Sequence, residues 1–191
     1  MSDATDRQAA EYVRELAEFR REKDRFFAES PQSPIPAAQR RDFPGLRYYP
    51  PDLTFRVRAE VVPFERPDVL QLGTSTGEIR PQARYAELRF RLGDRELRLA
   101  GFADPGEAQA DELFVPFRDA TSGRETYGAG RYLEVELEHH AGGEHSAILD
   151  FNLAYNPYCA YSPYYSCPIP PAENTLPVAV TAGERDYGEG H

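Results

Sequence analysis

Residues 149–184 read LDFNLAYNPYCAYSPYYSCPIPPAENTLPVAVTAGE and carry both cysteines and five of the twelve tyrosines of the chain. Cys159 and Cys167 have seven residues between them. A cysteine reacts as its thiolate, so either one needs a neighbour that lowers its pKa or takes its proton before it can act as a nucleophile. No C-x-x-C occurs, which removes the main support for a thioredoxin-like or zinc-ribbon site. Three readings stay open for the pair: buried free thiols, a disulfide, or a metal-binding or catalytic thiol. A closed disulfide would contribute roughly 2.5 kcal/mol on the chain-entropy estimate.

Charged and amide side chains form a second group. Alternation puts Arg84 in phase with Ala86, Leu88 and Phe90, and Arg131 in phase with Leu133, Val135 and Leu137, so both arginines are predicted to start their strands on the inward face. An arginine at a barrel mouth can clamp a carboxylate or phosphate through two parallel hydrogen bonds. An internal ion pair, with Asp119, Asp150 or Glu184, is the structural alternative. The loop RDATSGRETYGAGR at 118–131 brings Asp119, Thr121 and Tyr127 together with three glycines. Such a loop can satisfy its own turn amides or cradle an anion. It lacks the lysine of a P-loop and the βαβ setting of a dinucleotide fingerprint. Asp150 and Asn152 pose a question of register. One register sets them outside beside Glu134 and Glu136, where oxygen ligands would suit calcium or magnesium. The other sets them inside with Arg131 as a polar pocket floor. His139, His140 and His145 sit at a hairpin tip and read as exposed turn residues more readily than as a transition-metal site. No serine lies in a G-x-S-x-G elbow.

These residues are held by a predominantly β chain. Residues 5–28 are predicted to form one amphipathic helix, with Ala9, Tyr12, Val13, Leu16, Phe19 and Phe26 as its apolar stripe. Lys23 falls beside that stripe, where its ammonium either snorkels to solvent or meets a buried carboxylate. Residues 31–52 form a proline-rich extended connector. Alternating apolar and polar residues then predict antiparallel strands within 53–155, turning at Gly93-Asp94 and at 141–143. Residues 156–184 are predicted to be an ordered, irregular Pro/Tyr-rich wrap with a short strand near 178–181. Proline excludes ordinary helix or central strand there, and the aromatic content is too high for a disordered tail. Tyr158 is expected to be the most buried of its tyrosines. The fold class is therefore mainly β, an antiparallel barrel or sandwich with one long N-terminal helix, in a single domain over 1–191.

Of the 22 basic residues only Lys23 is a lysine, and 32 acidic residues bring the formal net charge to −10. An acidic surface nearly free of lysine fits a salt-rich cytoplasm, while arginine bias from a GC-rich genome explains the composition equally well. No basic stripe exists, so nucleic acid is not an expected partner. No apolar run approaches the roughly 18 residues of a membrane span. The N-terminal residues are acidic and amphipathic, unlike a secretory leader, and a cytoplasmic location is expected.

The segments FPGLRYYPPD at 43–52, FVPFRDATSGRETYGAGRYLE at 114–134 and LDFNLAYNPYCAY…CPIPPAEN…AGE within 149–184 resemble domain of unknown function 1684, a family of bacteria and archaea. FRREKDRFF at 19–27 is similar as well. The resemblance implies no activity or cofactor. It marks Asp119, Thr121, Tyr127, Arg131, Asp150, Asn152, Tyr155, Asn156, Cys159, Cys167 and Asn174 as members of its motifs, without assigning them roles.

Three functions remain in view. The first is a domain that binds an anionic small molecule through Arg131 and Arg84, with tyrosines packing the ligand body and Asn174 in the surrounding wrap. The second is an enzyme, metal-assisted at Asp150 or thiol-dependent at Cys159. The third is a structural or interaction protein. An enclosed cavity lined by Arg131 and Asn152 would mark the first, and a filled interior with a large exposed apolar patch the third.

Overall fold

The structure is a computed structural model, and it describes residues 2–107 and 109–188. A long helix, α1 (Ser2–Glu29), is followed by a one-turn helix, α2 (Ala37–Arg40), within the connector. Six strands follow: β1 (Arg56–Gly73), β2 (Ile79–Leu92), β3 (Arg95–Ala103), β4 (Glu112–Phe117), β5 (Arg131–His139) and β6 (His145–Asp150). All pairings are antiparallel, and the sheet closes in chain order because β6 returns to pair with β1. Closure leaves the barrel without a free edge.

The alternation on which the strands were predicted is the alternation that fills the barrel. Val61, Leu88, Leu99, Val115, Val135 and Leu149 are all buried in one core. Phe151 closes one end, with its ring 5.4 Å from Phe117 and 5.7 Å from Phe90. The interior is packed side chain rather than cavity, as expected of a small barrel.

Beyond the barrel β1 and β2 continue as a hairpin arm, whose register slips between Pro63 and Asp68. Two local expectations are corrected. First, the last strand stops at Asp150, and 151–153 is a 3₁₀ turn whose amide Asn152 N–H is capped by the Asp150 carboxylate at 3.1 Å. Second, no strand forms at 178–181. Arg131 takes the carbonyls of Val180, Ala182 and Glu184, the groups a strand would offer to a neighbour.

The face α1 turns to the barrel also differs from the predicted stripe. Val13, Phe19 and Phe26 are exposed, whereas Leu16 and Phe27 are buried. The stripe that meets the body is Tyr12, Leu16, Arg20, Lys23 and Phe27, spaced by three and four residues. Its polar members decide the rotation. Tyr12 donates to Asp150 at 2.8 Å, Arg20 donates to the Tyr49 carbonyl at 2.9 Å, and Lys23 pairs with Glu184 at 2.5 Å. A buried carboxylate without these donors would cost several kcal/mol, which exceeds the gain from turning one more phenylalanine inward.

Candidate functional site

Outward positions on the barrel wall face α1 and the wrap across an open cleft of about 840 Å³. Arg80 and Gln82 come from β2, Phe114 from β4, and Tyr132 and Glu134 from β5. The helix contributes Lys23 and Phe27, and the wrap contributes Tyr155, Tyr158, Tyr165 and Cys167. The aromatic rings form two groups, with the Lys23 ammonium near a ring of each. Phe114 meets Tyr132 edge-on at 4.7 Å, Tyr132 meets Tyr155 at 5.7 Å, and Tyr158 meets Tyr165 at 5.2 Å.

Backbone pairing and polar ties fix this lining. The Tyr132 and Tyr155 amides each donate to the other's carbonyl, at 2.9 and 3.0 Å, so the wrap begins as a one-bridge extension of β5. The Tyr132 hydroxyl donates to the Pro168 carbonyl. The Tyr155 hydroxyl donates to Glu134 at 2.5 Å. Burial raises the pKa of the Glu134 carboxyl, and the Tyr155 hydrogen bond opposes that rise. The Lys23 ammonium lies 4.9 Å from the Tyr155 ring centre and 5.6 Å from that of Phe27, while its charge is met by Glu184 behind the cleft. Glu184 also accepts from the Asn156 amide at 2.8 Å and the Tyr161 hydroxyl at 2.5 Å. Arg80 is exposed and forms no ion pair with a described residue; burial raises the Tyr132 hydroxyl pKa, and the Arg80 charge only partly opposes that rise.

Most candidate residues lie elsewhere, as ties between the wrap and the barrel. Arg131 is inward as alternation predicted, with 1% of its surface exposed. Its guanidinium pairs with Asp119 at 2.8 Å and donates to three wrap carbonyls, which leaves it within the protein rather than at a ligand. Burial lowers its pKa and Asp119 raises it. The other face of Asp119 accepts from the Thr121 amide at 2.8 Å and hydroxyl at 2.5 Å, so the 118–131 loop is a turn built on that carboxylate. Arg84 is not inward. A register slip between Arg84 and Ala86 breaks the alternation, and Arg84 instead grips Glu173 through two bonds, at 2.9 and 2.6 Å, over the Phe64 ring.

The register question at the β5–β6 hairpin resolves with Leu149 and Phe151 inside and Asp150 outside. β5 and β6 pair only from Leu137 to His139, so Asp150 lies beside Arg56 and Tyr12 rather than beside Glu134. Asn152 does not line a pocket with Arg131. It binds both the amide and the carbonyl of Asp52, at 2.9 and 2.8 Å. Asn174 is fully buried and stitches β3 to β4 where their ladder narrows to one pair, accepting from the Ala100 amide and donating to the Ala100 and Pro116 carbonyls. Tyr158, expected to be the most buried wrap tyrosine, is 38% exposed, and Tyr161 takes that place at 2%. The Tyr161 ring packs edge-on against Phe27 at 5.1 Å, and its hydroxyl has the Glu184 partner that Tyr158 lacks.

Of the candidates, Tyr155 lines the cleft, and Cys159 and Tyr127 lie just behind it. Cys159 and Cys167 are both free thiols. The hydrogen bond from Cys167 pulls the Cys159 thiol pKa down, and that from Tyr127 adds to it; Cys167 is pushed up as the donor. Among the described residues no group of three histidine, cysteine or acidic side chains is placed to hold a metal ion. Sequence reasoning missed Arg80, Phe114 and Tyr132, and took Glu134 only as an oxygen ligand beside Asp150. Phe114 and Tyr132 did leave a signal, being aromatic at positions where alternation points outward.

A comparison with curated proteins finds no match. Among solved structures, the chain is similar to an uncharacterised protein of Haloarcula marismortui solved by solution NMR. The two are 44% identical over 94% of this chain and 97% of that one, with a TM-score of 0.72. The family model described as "Protein of unknown function (DUF1684)" matches residues 41–185, which hold every strand and the whole wrap, and the chain belongs to that family.

Proposed function

We propose that this protein is a small-molecule binding domain whose ligand lies in the cleft between α1, the outer barrel wall and the wrap, and not in the barrel. The ligand class is a flat apolar body carrying one anionic group. The observation that carries this reading is the aromatic lining of the cleft with Arg80, which forms no ion pair with a described residue, beside it. The volume of about 840 Å³ lies within the range of small-molecule sites. Ring edges and faces favour a stacked planar ligand, and Arg80 offers the cation free to receive its anion. Glu22 and Glu134 also border the cleft, and they work against a second negative group.

The test is equilibrium binding of 8-anilinonaphthalene-1-sulfonate, an aromatic anion, to the native protein. It is compared with the uncharged N-phenyl-1-naphthylamine and the cationic 9-aminoacridine. Preference for the anion, and a Kd raised about tenfold by Arg80→Ala, equivalent to ~1.4 kcal/mol, are the expected results. Preference for the cation, or no binding at all, contradicts the reading.

A second reading has its own observation. The interior is filled, Phe19, Phe26 and Tyr158 are exposed at the cleft, and Tyr164 on the wrap is 89% exposed. That pattern suits a face that docks on another macromolecule. Failure of all three probes, with association at high protein concentration, would favour it.

Two features of setting go with the proposal. No described helix is long and apolar enough to cross a membrane, and the two unbridged thiols suit a reducing cytoplasm. The acidic, lysine-poor composition suits a salt-rich one, and the similar protein of known structure comes from a halophile.

A further inference from the structure

We infer that Cys159 and Cys167 form a peroxide-sensing dithiol, with Cys159 as the thiol attacked first and Cys167 as the resolving thiol. The two residues are already docked. The Cys159 amide donates to the Cys167 sulfur at 3.3 Å, and the Tyr127 hydroxyl lies 3.7 Å from the Cys159 sulfur. The backbone around Cys167 is pinned on both sides by the arm between β1 and β2. Its amide donates to the Ser75 hydroxyl at 3.2 Å, and its carbonyl accepts from the Ser75 amide at 3.0 Å. Cys159 is held in a short 3₁₀ turn, Tyr158–Ala160.

The environments of the two thiols divide the roles. The Cys159 sulfur accepts from the Tyr127 hydroxyl at 3.7 Å and is the more exposed of the two, while Cys167 is buried and its sulfur accepts from the Cys159 amide. Cys159 is partly exposed, and Cys167 borders the open cleft. No histidine is needed as a base when neighbouring donors lower the thiol pKa. Near the β5–β6 turn, His139 bonds His145 and Asp111, and His140 bonds Ser146.

The chemistry balances with a hydroperoxide as the oxidant. The Cys159 thiolate attacks one peroxide oxygen, an S–O bond forms and the O–O bond breaks. The departing hydroxide or alkoxide takes up a proton. The Cys167 sulfur then attacks the sulfur of the Cys159 sulfenic acid, an S–S bond forms, and water leaves with the Cys167 proton. With hydrogen peroxide the sum is two thiols and one peroxide giving one disulfide and two waters. The inference stands on the thiol pair alone and does not depend on the cleft holding a ligand.

The test uses the intact reduced protein. Brief iodoacetamide labelling under native conditions, read by peptide mass, is expected to modify Cys159 at least about tenfold faster than Cys167, since only the thiolate reacts. Hydrogen peroxide is expected to remove two hydrogens from the intact mass and link the peptides that carry Cys159 and Cys167. In Cys167→Ser, dimedone is expected to trap a sulfenic acid at Cys159, and in Cys159→Ser it is expected to trap none at Cys167. Equal labelling rates, peroxide treatment that leaves both thiols free, or dimedone on Cys167 would overturn the assignment. The labelling and mass measurements are made on wild-type protein, so they decide the matter even if a variant fails to fold.

Discussion

Replacing Arg131 by methionine tests whether the wrap is held by a buried ionic tie. The substitution keeps much of the side-chain volume over the Phe117 ring, which lies 5.4 Å from the guanidinium carbon. It removes the partner of Asp119, whose side chain has no exposed surface, and leaves the carbonyls of Val180, Ala182 and Glu184 without that donor. Breaking a buried ion pair from one side costs roughly 3–5 kcal/mol, because the remaining charge stays desolvated. For a domain of this size each kcal/mol shifts the melting temperature by about 2–4 °C, so the expected fall is about 6–20 °C. The assay is thermal unfolding followed by near-ultraviolet circular dichroism, which reads the packed tyrosines. The double variant Arg131→Met, Asp119→Asn should regain part of the loss, since no bare carboxylate remains buried. A single variant within about 1 kcal/mol of wild type would refute the tie and make Arg131 available for a ligand after all.

Two further outcomes are expected. Gly183→Ala should destabilise by more than about 2 kcal/mol, because φ is +76° and the added carbon would sit 2.6 Å from the Ala154 carbonyl oxygen; Gly77→Ala, at φ +82° with open space around it, should lose only the roughly 1–2 kcal/mol of left-handed strain, and equal losses in chemical denaturation would contradict the packing described. The melting temperature should rise from low to molar potassium chloride, since a formal net charge of −10 repels itself until the screening length falls from about 10 Å to about 3 Å, and a flat profile would leave codon bias as the source of the composition.

The barrel was legible because its signal is local. Two-residue alternation in β2, β4 and β5 names the inward side chains directly, and it placed Arg131 inside along with Leu133 and Val135. The same rule failed at Arg84 because one slipped register reverses every side chain beyond it, and the slip leaves no mark in composition. The register irregularity between Pro63 and Asp68, where β1 and β2 pass into their arm, likewise has no local signal. For α1, periodicity found the helix but not its rotation. Tyr12, Arg20 and Lys23 turn toward Asp150, Tyr49 and Glu184, partners more than 25 residues away in sequence. The motif residues Asp119, Asn152, Asn156 and Asn174 resemble a site because they are polar, buried and specific. A wrap without secondary structure needs just such residues, since its backbone groups must find side-chain partners. The cleft itself belongs to outward residues of three strands, a helix and the wrap, and only their assembly in space brings them together.

The claim that the cleft is the binding site is tested most directly by mapping a bound probe on the native protein. Amide and tyrosine-ring NMR resonances would be followed while 8-anilinonaphthalene-1-sulfonate is added to isotope-labelled protein. The account predicts saturable shifts and probe contacts at Arg80, Phe114, Tyr132, Tyr155 and Tyr165, with the barrel residues Leu88, Val115 and Leu149 unmoved. Shifts centred on Arg131, Asp119 and Asn152, or contacts scattered over the surface without saturation, would contradict it.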